Sequence, residues 1–122
     1  MHKLREEIDA AASVGQWNEE LPRFSELTKL PYLTAVINES LRLSPSVGGT
    51  FTRRVPAGGA VVLTDEIVPA GTLVGVNNWV MGRNRNIYGP DAELFKPERW
   101  LDESNRKELR DYDFAFGHGA RV

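Results

Sequence analysis

One segment of this 122-residue chain dictates its local structure more firmly than any other: Pro31–Leu43, "PYLTAVINESLRL". Leu33, Val36, Ile37 and Leu41 recur at the spacing of a single helix face. Pro31 suits a first helical turn, where its missing N–H would have no partner anyway. At the other end Ser44 precedes Pro45, which disfavours continuing the helix. The pattern predicts a helix over 31–43 with Leu33, Val36, Ile37 and Leu41 as its apolar stripe. Glu39 and Arg42 lie away from that stripe at i, i+3. Periodicity alone makes them a surface ion pair worth roughly 0.2–0.5 kcal/mol. The other reading is a second buried face, where the Glu39 carboxylate would need two guanidinium partners, one of them from elsewhere in the chain.

The rest of the chain is less regular. Leu4, Ile8 and Ala11 or Ala12 recur at helical spacing and predict a helix over 3–12. Gly15, Asn18 and Pro22 interrupt the connector over 13–29, which leaves room for one helical turn near Phe24–Leu27. Gly48-Gly49 open a loop. Ala60–Leu63 reads as a short strand, Thr64-Asp65 as a turn, Glu66–Val68 and Thr72–Val76 as further strands, and Pro69-Ala70-Gly71 as a tight turn between them. A small sheet of two to four strands follows from this. Asn77–Gly82 fits a single helical turn. From Arg83 to Val122 the sequence reads as irregular, including the charged stretch 102–113. A run that long without regular structure points to function or to docking.

Composition narrows the function. A net charge of −2 with scattered basic residues predicts no nucleic-acid footprint. No apolar run reaches the ~18 residues of a membrane-spanning helix, and nothing after Met1-His2-Lys3 resembles a signal peptide. The chain has no cysteine. It therefore supplies neither a disulfide nor a thiolate ligand.

Among residues with chemical potential, Arg99 stands in "FKPERW", Phe95–Trp100, where Phe95, Pro97 and Trp100 crowd it and suggest packing rather than an exposed loop arginine. That makes it the candidate second partner for Glu39. Arg53, Arg54 and Arg121 are candidate anion binders, because a guanidinium matches carboxylate and phosphate forks. Ordinary surface charge is the competing reading of each. His118, between Gly117 and Gly119, has no cysteine or serine nucleophile to serve, and a bare G-x-G is a weak phosphate signal.

Taken together, three stretches resemble the C-terminal part of a cytochrome P-450, a haem-thiolate monooxygenase. Glu39–Arg42, "ESLR", matches that family's E-x-x-R motif. "FKPERW" matches its P-E-R-F/W segment. Phe116–Val122, "FGHGARV", matches the start of its haem-binding loop, in which the next residue would be the cysteine that ligates iron. "KLREEIDAA" looks like the end of the family's J helix, and "VPAGTLVGVNNWVMGRN" and "IYGPDAELFKPERWL" look like fungal members.

The resemblance implies a mainly α fold with a small β-sheet (α+β). It would span the end of helix J, helix K, a small sheet, the meander and the start of the haem-binding loop. Residues 1–122 would form a single partial domain, truncated at both ends. Glu39, Arg42 and Arg99 would be the structural triad that places the cysteine loop. For the cofactor, Arg53 would contact one haem propionate, with Arg54 the competing assignment, and Arg121 the other. Phe116 would pack near the ligand sulfur, and Gly119 would let the loop approach the porphyrin. Gly82 and Arg85 depart from the family's commoner H-R-x-P wording, standing where histidine and proline often do.

For the parent protein the resemblance implies haem, a small organic substrate and an NADPH-dependent reductase or other electron donor. It also implies O₂ activation, and residence on the cytosolic face of the endoplasmic reticulum membrane. This chain alone would be inactive, without the cysteine, helix I or the C-terminal helix. The competing classes are a binding or interaction module without haem, and a small hydrolase using His118.

Overall fold

The structure is a computed structural model that describes residues 2–17, 21–59, 61–63 and 66–117, with the backbone alone for 61–63. It is mainly helical with a small antiparallel β component. The helices are α1 (His2–Ser13), α2 (Phe24–Leu27), α3 (Pro31–Leu43), α4 (Asn78–Met81), α5 (Arg85–Tyr88) and α6 (Glu103–Asp111), with a 3-10 turn at Pro97–Trp100. The strands are β1 (Thr50–Arg54), β2 (Val61–Leu63), β3 (Glu66–Val68) and β4 (Leu73–Asn77).

The first helix, the turn at 24–27 and the long helix lie where the spacing predicts. The strands pair as two separate antiparallel ribbons, β1 with β4 and β2 with β3. Strand β1 falls where the sequence reads as loop. Only Phe51 in it is apolar, so the pairing with β4 rather than its own pattern makes it a strand. The predicted turn at 64–65 lies outside the described residues. Gly71, at φ +84°, closes the turn after Pro69 in a conformation that favours glycine.

The region after Arg83 is more regular than the sequence suggests. Helix α6 begins just after Asp102, whose carboxylate accepts from the Ser104 N–H at 3.0 Å and caps the helix. One residue of its nine, Leu109, is buried, so it carries almost no periodic signal.

The buried face of α3 is not the apolar stripe. It is Ala35, Glu39 and Arg42, while Ile37 is 49% exposed. Ala35 packs with Tyr88, Ala92, Trp100 and Leu109, so the core lies between α3, α5, the 3-10 turn and α6. Helix α1 holds the start of α3. The Glu7 carboxylate accepts from the backbone N–H groups of Tyr32 and Leu33, each at 2.8 Å. The N-cap residue Leu30 offers no side-chain cap, so Glu7 satisfies donors that the helix itself leaves open. Lys3 reaches Glu98 at 2.6 Å, and the Tyr32 hydroxyl donates to the same oxygen at 3.2 Å, joining α1 to the 3-10 turn.

Candidate functional site

The surface-pair reading of Glu39 and Arg42 fails on burial: both are enclosed, Glu39 completely. Glu39 Oε1 accepts from Arg42 Nη2 at 2.7 Å, the Lys96 backbone N–H at 2.8 Å and Arg99 Nε at 3.1 Å. Its Oε2 accepts from Arg42 Nε at 2.8 Å and Trp100 Nε1 at 2.9 Å. One carboxylate thus receives five donors from α3, the 3-10 turn and the residue before that turn.

Arg42 is equally saturated. Its remaining N–H groups donate to the carbonyls of Gly82, Ala92 (2.6 Å) and Leu94 (3.0 Å), and its guanidinium lies 4.9 Å from the centre of the Tyr88 ring. Arg99 also donates to the Tyr88 carbonyl at 2.9 Å and to Asp91, at the side chain (3.2 Å) and the carbonyl (3.1 Å). The structure therefore brings Glu39, Arg42 and Arg99 together. Burial alone would push the Glu39 carboxyl up, but hydrogen bonds from Arg42, the Lys96 N–H and Trp100 outweigh it and hold it below the usual range. The hydrogen bond from Lys96, followed by the Arg99 charge, lowers Asp91.

Of the aromatics read as anchors, Trp100 is buried but Phe95 is 54% exposed. What fixes the segment is hydrogen bonding, through backbone carbonyls and the Lys96 N–H. Those backbone partners carry no side-chain signal in a sequence. Trp100 did carry one, because a buried indole N–H needs an acceptor.

On the other side of α4, Phe51, Arg53, Val74, Val76, Asn78 and Phe114 surround a cavity of about 300 Å³, with Gly117 at its edge. Strand pairing explains the lining. Phe51 is opposite Val76 and Arg53 opposite Val74, and residues two apart share a sheet face. Arg54 must then project from the other face, where it donates to the Gly71 carbonyl at 3.0 Å. The described bond of the Arg53 guanidinium goes to the neighbouring Thr52 carbonyl, and among the described residues it meets no carboxylate. An apolar wall with one cation that meets no carboxylate among the described residues suits an apolar ligand that carries an acid. Gly117, at φ +91°, turns the chain at the rim where a side chain would be strained. Phe116, next to it, is 66% exposed. His118, Gly119 and Arg121 lie outside the described residues.

The family model described as cytochrome P-450 matches residues 1–122. The chain belongs to the cytochrome P-450 family. Three similar P-450 relatives are fungal. Pisatin demethylase of Fusarium vanettenii is 45% identical over 99% of this chain and 22% of its own length. A cytochrome P-450 monooxygenase of Aspergillus flavus is 39% identical over 100% of this chain and 24% of its own length. Quiannulatic acid synthase of Emericella variicolor is 38% identical over 98% of this chain and 24% of its own length. The chain spans about a quarter of the length of these relatives.

Glycine at position 82 has a physical reason here. Its backbone is ordinary right-handed helix, at φ −61°, so conformation does not require glycine. Space does: a Cβ at this position would collide with the Arg42 carbonyl oxygen. Helix α4 packs directly on the end of α3, and the Gly82 carbonyl reaches the Arg42 guanidinium. Arg83 secures the same junction, donating to the Leu43 carbonyl at 2.8 Å, pairing with Glu93 at 3.2 Å and lying over the Trp79 ring.

Proposed function

We propose that this chain is the part of a haem-dependent monooxygenase that seats one edge of the haem and braces the approach to its ligand loop. The observation that carries this reading is the cavity between the β1–β4 ribbon and residues 114–117, lined by Arg53, a cation that meets no carboxylate among the described residues. Phe51, Val74, Val76 and Phe114 would take the porphyrin edge, and Arg53 a propionate. Arg121 would hold the other propionate, Gly119 would admit the ring, and Phe116 would pack near the sulfur. Glu39, Arg42 and Arg99 touch no ligand in this reading. They fix the irregular 89–100 segment on α3 and so fix the limb that leads to the loop.

When bound through a cysteine thiolate, haem supplies reductive activation of O₂ and transfer of an oxygen atom to a small organic substrate. Electrons would come from an NADPH-dependent reductase, and the parent protein would sit on the cytosolic face of the endoplasmic reticulum membrane. The relatives' names point to different molecules, pisatin and quiannulatic acid. That supports assigning the shared segment to haem handling rather than to substrate choice.

The test compares Arg53→Ala with Arg54→Ala in the chain expressed with the sequence that flanks it in its gene. Haem content, and the rate of haem transfer to an apo-acceptor, are measured for each. Arg53→Ala should release haem several-fold faster and Arg54→Ala should not; the reverse order refutes the assignment. The 122-residue chain by itself, lacking cysteine, should give no thiolate band in the reduced, CO-treated difference spectrum. A thiolate band there would overturn the reading of the chain as inactive alone.

A further inference from the structure

Asn78, the first residue of α4, is 3% exposed, and its Oδ1 has no hydrogen-bond partner among the described residues. Its orientation is fixed by the other end of the amide. Nδ2 points at the Val47 carbonyl oxygen at 3.5 Å, and a flipped amide would set two acceptors against each other. An orphaned buried acceptor is costly and needs an explanation.

The second observation is the space beside it. Asn78, Tyr88, Tyr112, Asp113 and Phe114 border a cavity of about 10 Å³. One water needs about 10–15 Å³, together with two to four polar partners. Arg42 also borders the cavity, but all five of its N–H groups are committed elsewhere and cannot serve Asn78. Other partners for a water are present. Asp113 Oδ1 accepts from the Ala115 N–H at 3.0 Å and retains lone pairs. Tyr88 is nearly buried, and no described hydrogen bond involves its hydroxyl. Burial, then the Asp113 charge, pushes that phenol up to about 12, so it is a donor at any working pH and Asp113 lies within electrostatic reach of it.

We propose that this cavity is a specific single-water site, in which the water donates to Asn78 Oδ1 and to Asp113 and accepts from the Tyr88 hydroxyl. The water joins α4 to the limb at 112–115, and through Tyr88 to the underside of the Arg42 guanidinium. Asn78 is then a positioning residue for that limb, acting through the water.

The experiment is a double-mutant cycle of Asn78→Leu and Tyr88→Phe in the chain with its flanking sequence, read by denaturant unfolding, beside a high-resolution crystal structure of the unsubstituted protein. Leucine is close to asparagine in shape and removes the orphan. It also gives up the Nδ2 bond to the Val47 carbonyl, so the coupling between the two substitutions discriminates: an unpartnered Oδ1 leaves them additive. If the water is there, Asn78→Leu lowers the midpoint. The two substitutions then couple, so that their combined effect on the unfolding constant falls short of the product by roughly two-fold or more. The crystal should show one water within hydrogen-bonding distance of all three groups. A stabilising Asn78→Leu, additive effects, or a backbone N–H of residues 118–122 seated on Oδ1 would each overturn the proposal. Should Asn78→Leu fail to fold, the water position and the Tyr88→Phe midpoint still decide: no loss on removing the hydroxyl refutes it.

Discussion

Replacing Glu39 by glutamine keeps the shape of the side chain and removes its charge. The amide oxygen can occupy only one of the two carboxylate positions. Placed at Oε1, it keeps Arg42 Nη2, the Lys96 N–H and Arg99 Nε. The NH₂ group then faces Arg42 Nε–H and the Trp100 indole N–H, donor against donor. Two buried donors left unsatisfied cost about 1–3 kcal/mol each, so about 2–6 kcal/mol together. The same change leaves two buried guanidiniums without their shared anion, and breaking a buried pair costs about 3–5 kcal/mol. The two routes agree on several kcal/mol, a large share of the ~5–15 kcal/mol that stabilises a typical domain. Urea unfolding of the chain with its flanking sequence measures it. With an m-value of about 1–3 kcal/mol/M, the midpoint should fall by at least ~1 M at unchanged slope. Ile37→Ala, on the half-exposed stripe of the same helix, is the control and should change far less. A Glu39→Gln shift below about 0.5 M would refute the reasoning, because it would mean the cluster is hydrated or its donors find other acceptors.

The remaining predictions concern the supports of that cluster. Gly82→Ala, which is neutral for the backbone angle, should still destabilise by about 1–3 kcal/mol by overpacking, since its Cβ meets the Arg42 carbonyl; an unchanged unfolding midpoint would show that α4 is free to move off α3. Glu7→Ala should remove about 0.5–2 kcal/mol, as loss of a helix cap does, and should raise amide exchange at Tyr32 and Leu33 before anywhere else in α3; uniform exchange along the helix would count against it. Because the folded-state pKa of Glu39 is depressed, its stabilisation is complete above the unfolded carboxyl value of about 4.3 and fades as pH falls through the folded value. The acid arm of the stability curve should therefore be shallower in Glu39→Gln; an identical slope would remove Glu39 from the titrating groups.

The legible parts of the fold are those with local chemistry. Pro31 and the Ser44-Pro45 pair mark both ends of α3, and Gly71 marks its turn, because each acts on its own backbone. The buried face of α3 was not legible from periodicity. A stripe of leucine, valine and isoleucine looks like the core face, and nothing local shows that Ala35, Glu39 and Arg42 are enclosed instead. The crowding of Phe95, Pro97 and Trp100 around Arg99 makes it a candidate partner, and the likeness of "ESLR" and "FKPERW" to a known family points the same way. Strand β1 and helix α6 carry no periodic signal for a shared reason: Phe51 and Leu109 are single apolar residues in otherwise polar segments. The Asp102 cap followed by Ser104 was the available signal for α6. The choice between Arg53 and Arg54 rests on register. Adjacent residues point to opposite faces, and which face looks into the cavity depends on pairing with β4.

The sequence distances within the Glu39 cluster bear on how the chain folds. Its partners at Lys96, Arg99 and Trp100 lie 57, 60 and 61 residues downstream. On a ribosome, α3 is complete long before any of them has been made. During that interval Glu39 and Arg42 remain hydrated, and a hydrated ion pair resists burial against an apolar partner. The helix is thereby protected from collapsing on this face with the wrong segment. Only a stretch that brings a guanidinium, an indole N–H and a free backbone N–H together can dehydrate it. Contacts this distant also close late in folding, since loop-closure entropy must be met first. Their loss should then speed unfolding more than it slows folding, so the cluster governs how long the assembled limb persists rather than how fast it is reached.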